Sequence, residues 1–232
     1  MKYKHLFGPV PSRRLGVSLG VDLIPPKTCT LDCVYCECGK TTMLTTDRKE
    51  YIPVEAVLRE LDDYLAGNPT LDYITFAGSG EPTLNNMIGR VIEYLKKNYP
   101  RYTLCVLTNG TLFSNPAVRA EVLKADLIIP SLDAASENTF QQLNRPHADL
   151  NCSEVIAGLV ELRHEFAGEI RLEIFIVPGL NDTAAELAAI KEAVKEINPH
   201  RVQLGTLDRP GTESWVRAAG TKEMRQIASF LE

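Results

Sequence analysis

Four of the six cysteines, Cys29, Cys33, Cys36 and Cys38, fall within ten residues. The spacing Cys29-x-x-x-Cys33-x-x-Cys36 puts three thiols within eight residues. Held on one loop, three thiolates can bind three corners of a cubane iron–sulfur cluster and leave its fourth iron open. An open coordination position lets a metal site take a substrate. A cluster that only carries electrons would take a fourth cysteine. Cys38 is the nearest, but one intervening residue after Cys36 makes it awkward as that corner. Zinc on all four is the other reading, although structural zinc sites usually join two separated pairs. Cys105 and Cys152 are isolated, so one cluster is expected.

Such a loop needs a rigid frame, and the flanking pattern describes one. Residues 17–24 read as a strand running into a cysteine loop at 25–40. Residues 54–66 read as a helix with Gly67 as its stop. A strand at 71–77 ends in Gly78-Ser79-Gly80, and a helix follows at 87–98. The strand at 102–107 ends at Asn109-Gly110. Asn115-Pro116 then opens a short helix, with Asn as cap and Pro at the first helical position. A strand at 126–132 precedes helical pieces at 136–143 and 153–166. The strand at 169–177 is stopped by Pro178-Gly179, and Thr183-Ala184-Ala185-Glu186 is a capping box for a helix to about 197. A strand at 201–206 and a helix at 213–231 complete the series.

Six strand-then-helix units argue for a parallel sheet with helices outside. Six rather than eight implies a partial (β/α)6 barrel of TIM type, open on one side, with a doubly wound open sheet as the alternative. One domain is expected over residues 1–232, with 1–16 as an N-terminal extension. Both architectures place a site at the C-terminal strand ends. The unusual residues fall there: the cysteine loop, 78–82, 108–109, 131–133, 178–182 and 208–211.

The strand at 169–177 has Ile170, Leu172, Ile174 and Ile176 on one face and Arg171, Glu173 and Phe175 on the other. With the isoleucine face against the helices, Arg171 and Glu173 point into the barrel. The same alternation puts Asp22, Thr75, Asn109, Ser131, Asp133 and Gln203 in the lumen, with Cys105 as a neighbour. Ordinary barrels fill this space with branched aliphatic side chains. A lumen so polar is either a satisfied structural network or a cavity for a polar ligand. Glu173, Gln203 and Arg171 are the candidates for direct chemistry.

Composition narrows the class. Hydrophobic residues make up 44% and charged residues 24%, ordinary for a globular chain. A net charge of −5 gives no general basic footprint for nucleic acid. No stretch is long and apolar enough to span a bilayer. The N-terminus has basic residues but no apolar core behind them, so no signal peptide is read and a cytoplasmic location is expected.

The chain resembles the radical S-adenosylmethionine superfamily. The resemblance rests on the three-cysteine loop with Tyr35 before its third cysteine, and on Gly80-Glu81-Pro82 after the second strand. Thr-Asn-Gly, Ser-Leu-Asp-Ala and Val-Pro-Gly-Leu-Asn-Asp follow in order, so it covers most of the chain. Ser79 stands where the superfamily's Gly-Gly-Glu-Pro motif has its first glycine. The resemblance implies a [4Fe-4S] cluster on Cys29, Cys33 and Cys36. Its open iron would be chelated by S-adenosylmethionine, whose reductive cleavage gives a 5′-deoxyadenosyl radical that abstracts hydrogen from a substrate. Tyr35 would lie near the adenine, and the segment of Ser79, Gly80, Glu81 and Pro82 at the methionine amino group. Ser131 and Asp133 would meet the ribose or carboxylate, with Asn109 and the backbone around Ile176 and Val177 as further contacts. An external one-electron reductant of flavodoxin or ferredoxin type is implied.

The stretch Phe7-Gly-Pro-Val-Pro-Ser-Arg-Arg-Leu-Gly, with Cys33-Val-Tyr-Cys-Glu-Cys-Gly-Lys-Thr, is similar to a subfamily of small iron–sulfur oxidoreductases. These are grouped near the wyosine-forming tRNA enzymes. The substrate could thus be a small molecule, a peptide or tRNA. Wyosine-type base modification and activation of a glycyl-radical or peptide partner are the alternatives, and an electron carrier or sensor is the non-catalytic one. Arg13, Arg14, His147 and Arg209 are candidates for substrate contact. His5, His164 and His200 have no partner visible in the sequence, and Trp215 reads as packing the last helix on the sheet.

Overall fold

The computed structural model describes residues 3–12 and 14–231. Strands β1 (Leu6–Ser12) and β2 (Gly16–Val21) form an antiparallel hairpin. A small parallel ladder of β3 (Thr28–Cys29) and β4 (Met43–Leu44) holds the two ends of the cysteine loop. The helix α1 (Val54–Leu65) leads to β5 (Tyr73–Phe76), α2 (Ile88–Asn98), β6 (Thr103–Thr108) and α3 (Pro116–Val122). Next come β7 (Leu127–Pro130), α4 (Glu137–Leu143), α5 (Cys152–Glu165), β8 (Glu169–Ile176), α6 (Ala184–Ile197), β9 (Arg201–Thr206) and α7 (Thr221–Leu231).

The seven-stranded sheet runs β1-β2-β5-β6-β7-β8-β9. Every neighbouring pair after the first is parallel. Its two ends do not meet, so it is a curled half-barrel with six parallel strands, as the alternating pattern predicts. The helices cover its outer face. Ile74, Phe76, Leu104, Val106, Ile128, Ile170 and Leu172 meet Leu61, Leu65, Ile88, Ile92 and Leu95 there. Each such side chain contributes roughly 1.5–3 kcal/mol of hydrophobic stabilisation. Ile174 and Ile176 extend this outer layer onto Leu187, Ile190, Ile227 and Leu231. The isoleucine face of β8 therefore meets helices, and Arg171, Glu173 and Phe175 face inward.

Local chemistry sets the helix ends. The Asn115 side chain accepts from the Ala117 N–H at 2.9 Å, ahead of Pro116. Thr183 caps α6 through the Glu186 N–H at 3.2 Å. The expected reciprocal bond of the capping box is absent. Glu186 instead accepts from the Ala135 and Ser136 N–H groups at 2.6 and 3.0 Å and from Thr139 at 2.9 Å. It caps α4 from the neighbouring unit.

The N-terminal segment expected at 1–16 carries a strand that the sequence pattern did not show, β1 at residues 6–12. Pro9 and Pro11 hid it, since proline suits only an edge strand, and β1 is one. The last helix begins at Thr221, not at 213. Residues 211–213 pack on the cysteine loop instead, and Trp215 is 54% exposed, off the sheet. The lumen is also not polar throughout. Leu15, from the turn between β1 and β2, is buried in the floor with Cys105, Leu127 and Ile129.

Candidate cluster and cofactor site

Three walls hold the cysteine loop. Below it, Gly80 lies so close to Thr28 that a Cβ would come 1.9 Å from the Thr28 carbonyl oxygen, and the Glu81 N–H donates to that oxygen at 3.1 Å. Only glycine fits there. Beside it, residues 143–147 supply a strand-like edge. The N–H of Val34 donates to Leu143 at 3.0 Å, that of Asp32 to Asn144 at 3.0 Å, and that of His147 to Thr30 at 2.9 Å. On the outside, a Cβ on Gly211 would meet the Tyr35 carbonyl oxygen at 2.7 Å. Thr212 donates to the Cys36 carbonyl at 3.1 Å, and the Glu213 N–H to Val34 at 3.0 Å.

Cys29, Cys33 and Cys36 are partly buried, and Cys38 is exposed. Asn109 Nδ2 lies 3.5 Å from Cys29 Sγ, and Asn144 Nδ2 lies 3.4 Å from Cys33 Sγ. Burial pushes the Cys29 thiol up to about 12 and raises that of Cys33 as well. Cys36 is lowered to about 6, chiefly by a hydrogen bond from Cys38, whose own thiol that bond raises. The metal-binding form is the thiolate, so a metal taken up by Cys29 and Cys33 would displace their protons. A single ion would need thiols gathered around one point. Among the described residues no three His, Cys, Asp or Glu side chains are so gathered. Three spread thiols on one loop, two of them already receiving N–H donors, fit a cluster that takes one at each corner.

Glu81 ties this loop to the strand ends. It is buried, and its Oε1 accepts from the Thr83 N–H at 3.0 Å, Thr83 Oγ1 at 2.5 Å and Thr108 Oγ1 at 2.7 Å. Its Oε2 accepts from the Asn109 N–H at 2.7 Å. Burial raises its carboxyl and these donors oppose the rise. The Glu81 side chain thus aims Asn109, and the Ser79–Pro82 backbone is tied down, the Lys27 N–H donating to the Ser79 carbonyl at 2.9 Å and the Asn85 N–H to that of Pro82 at 3.1 Å. A Cβ on Gly78 would fall 2.1 Å from Asp22 Oδ1, and the Ser79 N–H donates to Asp22 Oδ2 at 3.4 Å. Gly78 therefore supplies the close approach, and Ser79 sits in the turn beside it.

Asp133 is the second buried carboxylate. It accepts from the Tyr35 hydroxyl, from Asn144 Nδ2 at 3.0 Å and from the Phe175 N–H at 2.8 Å. Burial pushes it up to about 6 against those bonds. The Tyr35 ring stacks on Phe175 with centroids 4.1 Å apart and planes at 13°. Asn181 is fully buried, donates to the carbonyls of Asp133 and Phe175 at 2.8 Å each, and accepts from the Val177 N–H at 2.8 Å. That is what the Asn of Val-Pro-Gly-Leu-Asn-Asp does: it pins the end of β7 to the end of β8.

A cavity beside the loop is lined by Leu31, Tyr35, Asn109, Ser131, Asp133 and Asn144. Tyr35, Asn109, Ser131 and Asp133 are thereby brought together. Ile176 and Val177 turn their side chains into hydrophobic clusters, and their backbone is engaged as well, the Val177 N–H donating to Asn181 and the Ile176 carbonyl accepting from Thr206 at 3.1 Å, so neither lines this cavity. Arg171 donates through Nε and Nη2 to the two oxygens of Glu169, at 2.8 and 2.7 Å, in the floor. Glu173 is engaged by Arg14, and Gln203 lies opposite Glu173 across the β8–β9 ladder. His147 buttresses the loop through its backbone, while its Nδ1 accepts from the Asp149 N–H at 3.3 Å. Arg209 lies exposed on the rim after β9. Arg13 lies outside the described residues. Asn144 and Asn181 were missed as site residues: a lone Asn144 in a loop carries no spacing signal, while Asn181 lies in the Val-Pro-Gly-Leu-Asn-Asp run that could have pointed to it.

A curled parallel half-barrel, with three cysteines on the loop after its first parallel strand, defines a class. Residues 23–195 match the model of the Radical SAM superfamily, and the chain belongs to it. The chain is 35% identical to the UPF0026 protein of Methanocaldococcus jannaschii, across 97% of this chain and 70% of that one. It is also 40% identical, over its whole length, to a protein of Brachyspira hyodysenteriae named GTPase Obg, but spans only 34% of that relative. Gly39-Lys40-Thr41 does not make a nucleotide-binding P-loop here, since Val34 stands at the position of that motif's first glycine. In fold the chain is similar to TYW1 with a lysine-pyruvate adduct bound, with a TM-score of 0.65 at 16% identity over 92% of this chain and 72% of that one.

Proposed function

We propose that this protein is an enzyme that binds a [4Fe-4S] cluster on Cys29, Cys33 and Cys36 and S-adenosylmethionine at its open iron. When bound, this pair supplies reductive cleavage of the sulfonium to a 5′-deoxyadenosyl radical that takes hydrogen from a substrate. An external one-electron donor of flavodoxin or ferredoxin type would drive it. The chain's own residues bind, orient and exclude water. Asn109 and Asn144 hold donors to two of the ligand sulfurs. Asp133 and Phe175 fix the Tyr35 ring as one wall of the adjacent cavity. Glu81 keeps the Gly80 turn under the loop, where the methionine end would lie. The floor around Leu15 keeps water from entering the lumen from below.

The observation that carries this reading is the pair of buried carboxylates, Glu81 and Asp133. Each links the cysteine loop to strand ends through an Asn whose amide also reaches a ligand sulfur, in Asn109 and Asn144. A plain electron carrier needs neither linkage. The test is electron paramagnetic resonance of the anaerobically reconstituted, reduced protein with and without S-adenosylmethionine. The expected result is a cubane signal that changes on addition, with 5′-deoxyadenosine and methionine formed. A signal indifferent to S-adenosylmethionine sinks the proposal in favour of electron transfer. Cys33→Ala should lose the cluster and Cys38→Ala should keep it.

A further inference from the structure

Among the described residues, one buried side-chain polar atom has no hydrogen-bond partner: Oε1 of Gln203. Gln203 is half-buried as a residue, and buried polar atoms nearly always find a partner, so this oxygen is an acceptor with room for an N–H from a ligand or for a water. Gln203 stands directly opposite Glu173 in the ladder between β8 and β9, on the lumen face. Two residues further along these strands, roughly 7 Å, the opposed pair is Phe175 and Gly205. Phe175 carries the stacked Tyr35 of the cysteine loop. A Cβ on Gly205 would lie 3.6 Å from Glu173 Oε1, so the glycine leaves the carboxylate uncrowded from that side. Ser131 flanks Glu173 on the other strand. Glu173 and Gln203 therefore form an inward-facing tier between the aromatic wall and the floor.

The carboxylate of Glu173 already has an occupant. The Arg14 guanidinium reaches it from the turn between β1 and β2, with side chains 44% and 22% exposed. An ion pair this open to water holds weakly and can be exchanged. Its form is informative. The group now on the carboxylate is planar, with N–H donors on one carbon. A ligand with the same edge would take the carboxylate with two N–H groups and give the neighbouring amide a further donor.

We infer that Glu173 and Gln203 are a recognition site for a ligand with an amidine-type edge, either a guanidino compound or a guanine-like ring, and that Arg14 occupies its place in the free protein. That this ligand is the substrate rests on the radical-enzyme reading above. The test is calorimetric titration of the anaerobically reconstituted holoprotein with S-adenosylmethionine present. The probes are agmatine and guanosine, each against a control without the amidine edge, butylamine and inosine. At least one probe should bind about tenfold or more tightly than its control, and which one does so separates chain from ring. Glu173→Gln should weaken that binding about tenfold or more. Arg14→Ala should strengthen it by removing the occupant. Gln203→Met should weaken it and raise the melting temperature of the unliganded protein, because an orphaned buried oxygen is replaced by apolar volume. The inference is overturned if neither probe outbinds its control, if Arg14→Ala weakens binding, or if Gln203→Met melts lower. The paramagnetic response to S-adenosylmethionine in the same samples separates the two readings. An intact response without probe binding overturns this site alone. Probe binding without that response overturns the radical reading and leaves the site standing.

Discussion

Asn144 joins two parts of the site that are far apart in sequence. Its amide donates to Asp133 at 3.0 Å and lies 3.4 Å from Cys33 Sγ. Asp133 holds the Tyr35 hydroxyl, so the cluster loop and the aromatic wall share one hydrogen-bonded chain. Asn144→Leu should act at both ends. Loss of the donor leaves buried Asp133 short of a partner, at a cost of about 1–3 kcal/mol in unfolding free energy. It also leaves the Cys33 sulfur more electron-rich, so the cluster midpoint potential should move to more negative values in a redox titration followed by paramagnetic resonance. An unchanged potential in a folded, fully loaded variant would reduce Asn144 to a scaffold role.

Elements carry the loop by close backbone approach rather than by large side chains. At the end of β5, Gly80 admits the Thr28 carbonyl, and on the segment after β9, Gly211 admits the backbone of Tyr35. Gly80→Ala should force Thr28 and the ladder of β3 with β4 to shift. The expected result is a loss of about 1–3 kcal/mol and less iron bound per chain after reconstitution, measured by melting and iron assay. The helix pair α3 and α5, away from the site, is tied by long side chains instead. Arg119 on α3 is buried and donates to both oxygens of Glu165 on α5, at 2.9 and 2.8 Å, and to the Phe113 carbonyl at 2.7 Å. Its partner Glu165 is held below the ordinary carboxylate value by that guanidinium. A lowered acid stabilises the fold above its unfolded pKa, so this contribution is lost as pH falls below about 4.5. Arg119→Met should flatten that part of the stability profile, with the exposure of Glu165 keeping the effect small.

At the scale of the molecule, the half-barrel has an open side and would have an open floor. The turn between β1 and β2 closes the floor by burying Leu15, 5% exposed, among Cys105, Leu127 and Ile129. Leu15→Ala should cost about 2–5 kcal/mol in chemical denaturation. It should also raise the rate at which an alkylating reagent reaches Cys105, which is fully buried in that floor. Unchanged Cys105 labelling would mean that the floor is sealed by something other than this plug. The N-terminal hairpin is thus part of the barrel, and Arg14 on its turn reaches Glu173 across the lumen.

Much of this was legible in order along the chain. Alternating strand and helix patterns specify a parallel sheet because period 2 and period 3.6 segments can bury their apolar faces only in layers. The isoleucine alternation of β8 was enough to turn Arg171, Glu173 and Phe175 inward. The cysteine spacing was local, so it could be read without a fold. Other features depend on residues distant in sequence. Strand β1 is masked by its prolines until it is known to be an edge. Glu186 satisfies the start of α4 instead of its own helix, because a nearer set of donors was brought to it. Asn144 and Leu15 have ordinary surroundings in the sequence, and Asn181 stands in a recognised run that does not say what it bonds. Their roles come from hydrogen bonds and packing between separate β/α units, and such pairings are decided only when the sheet curls and its strand ends converge.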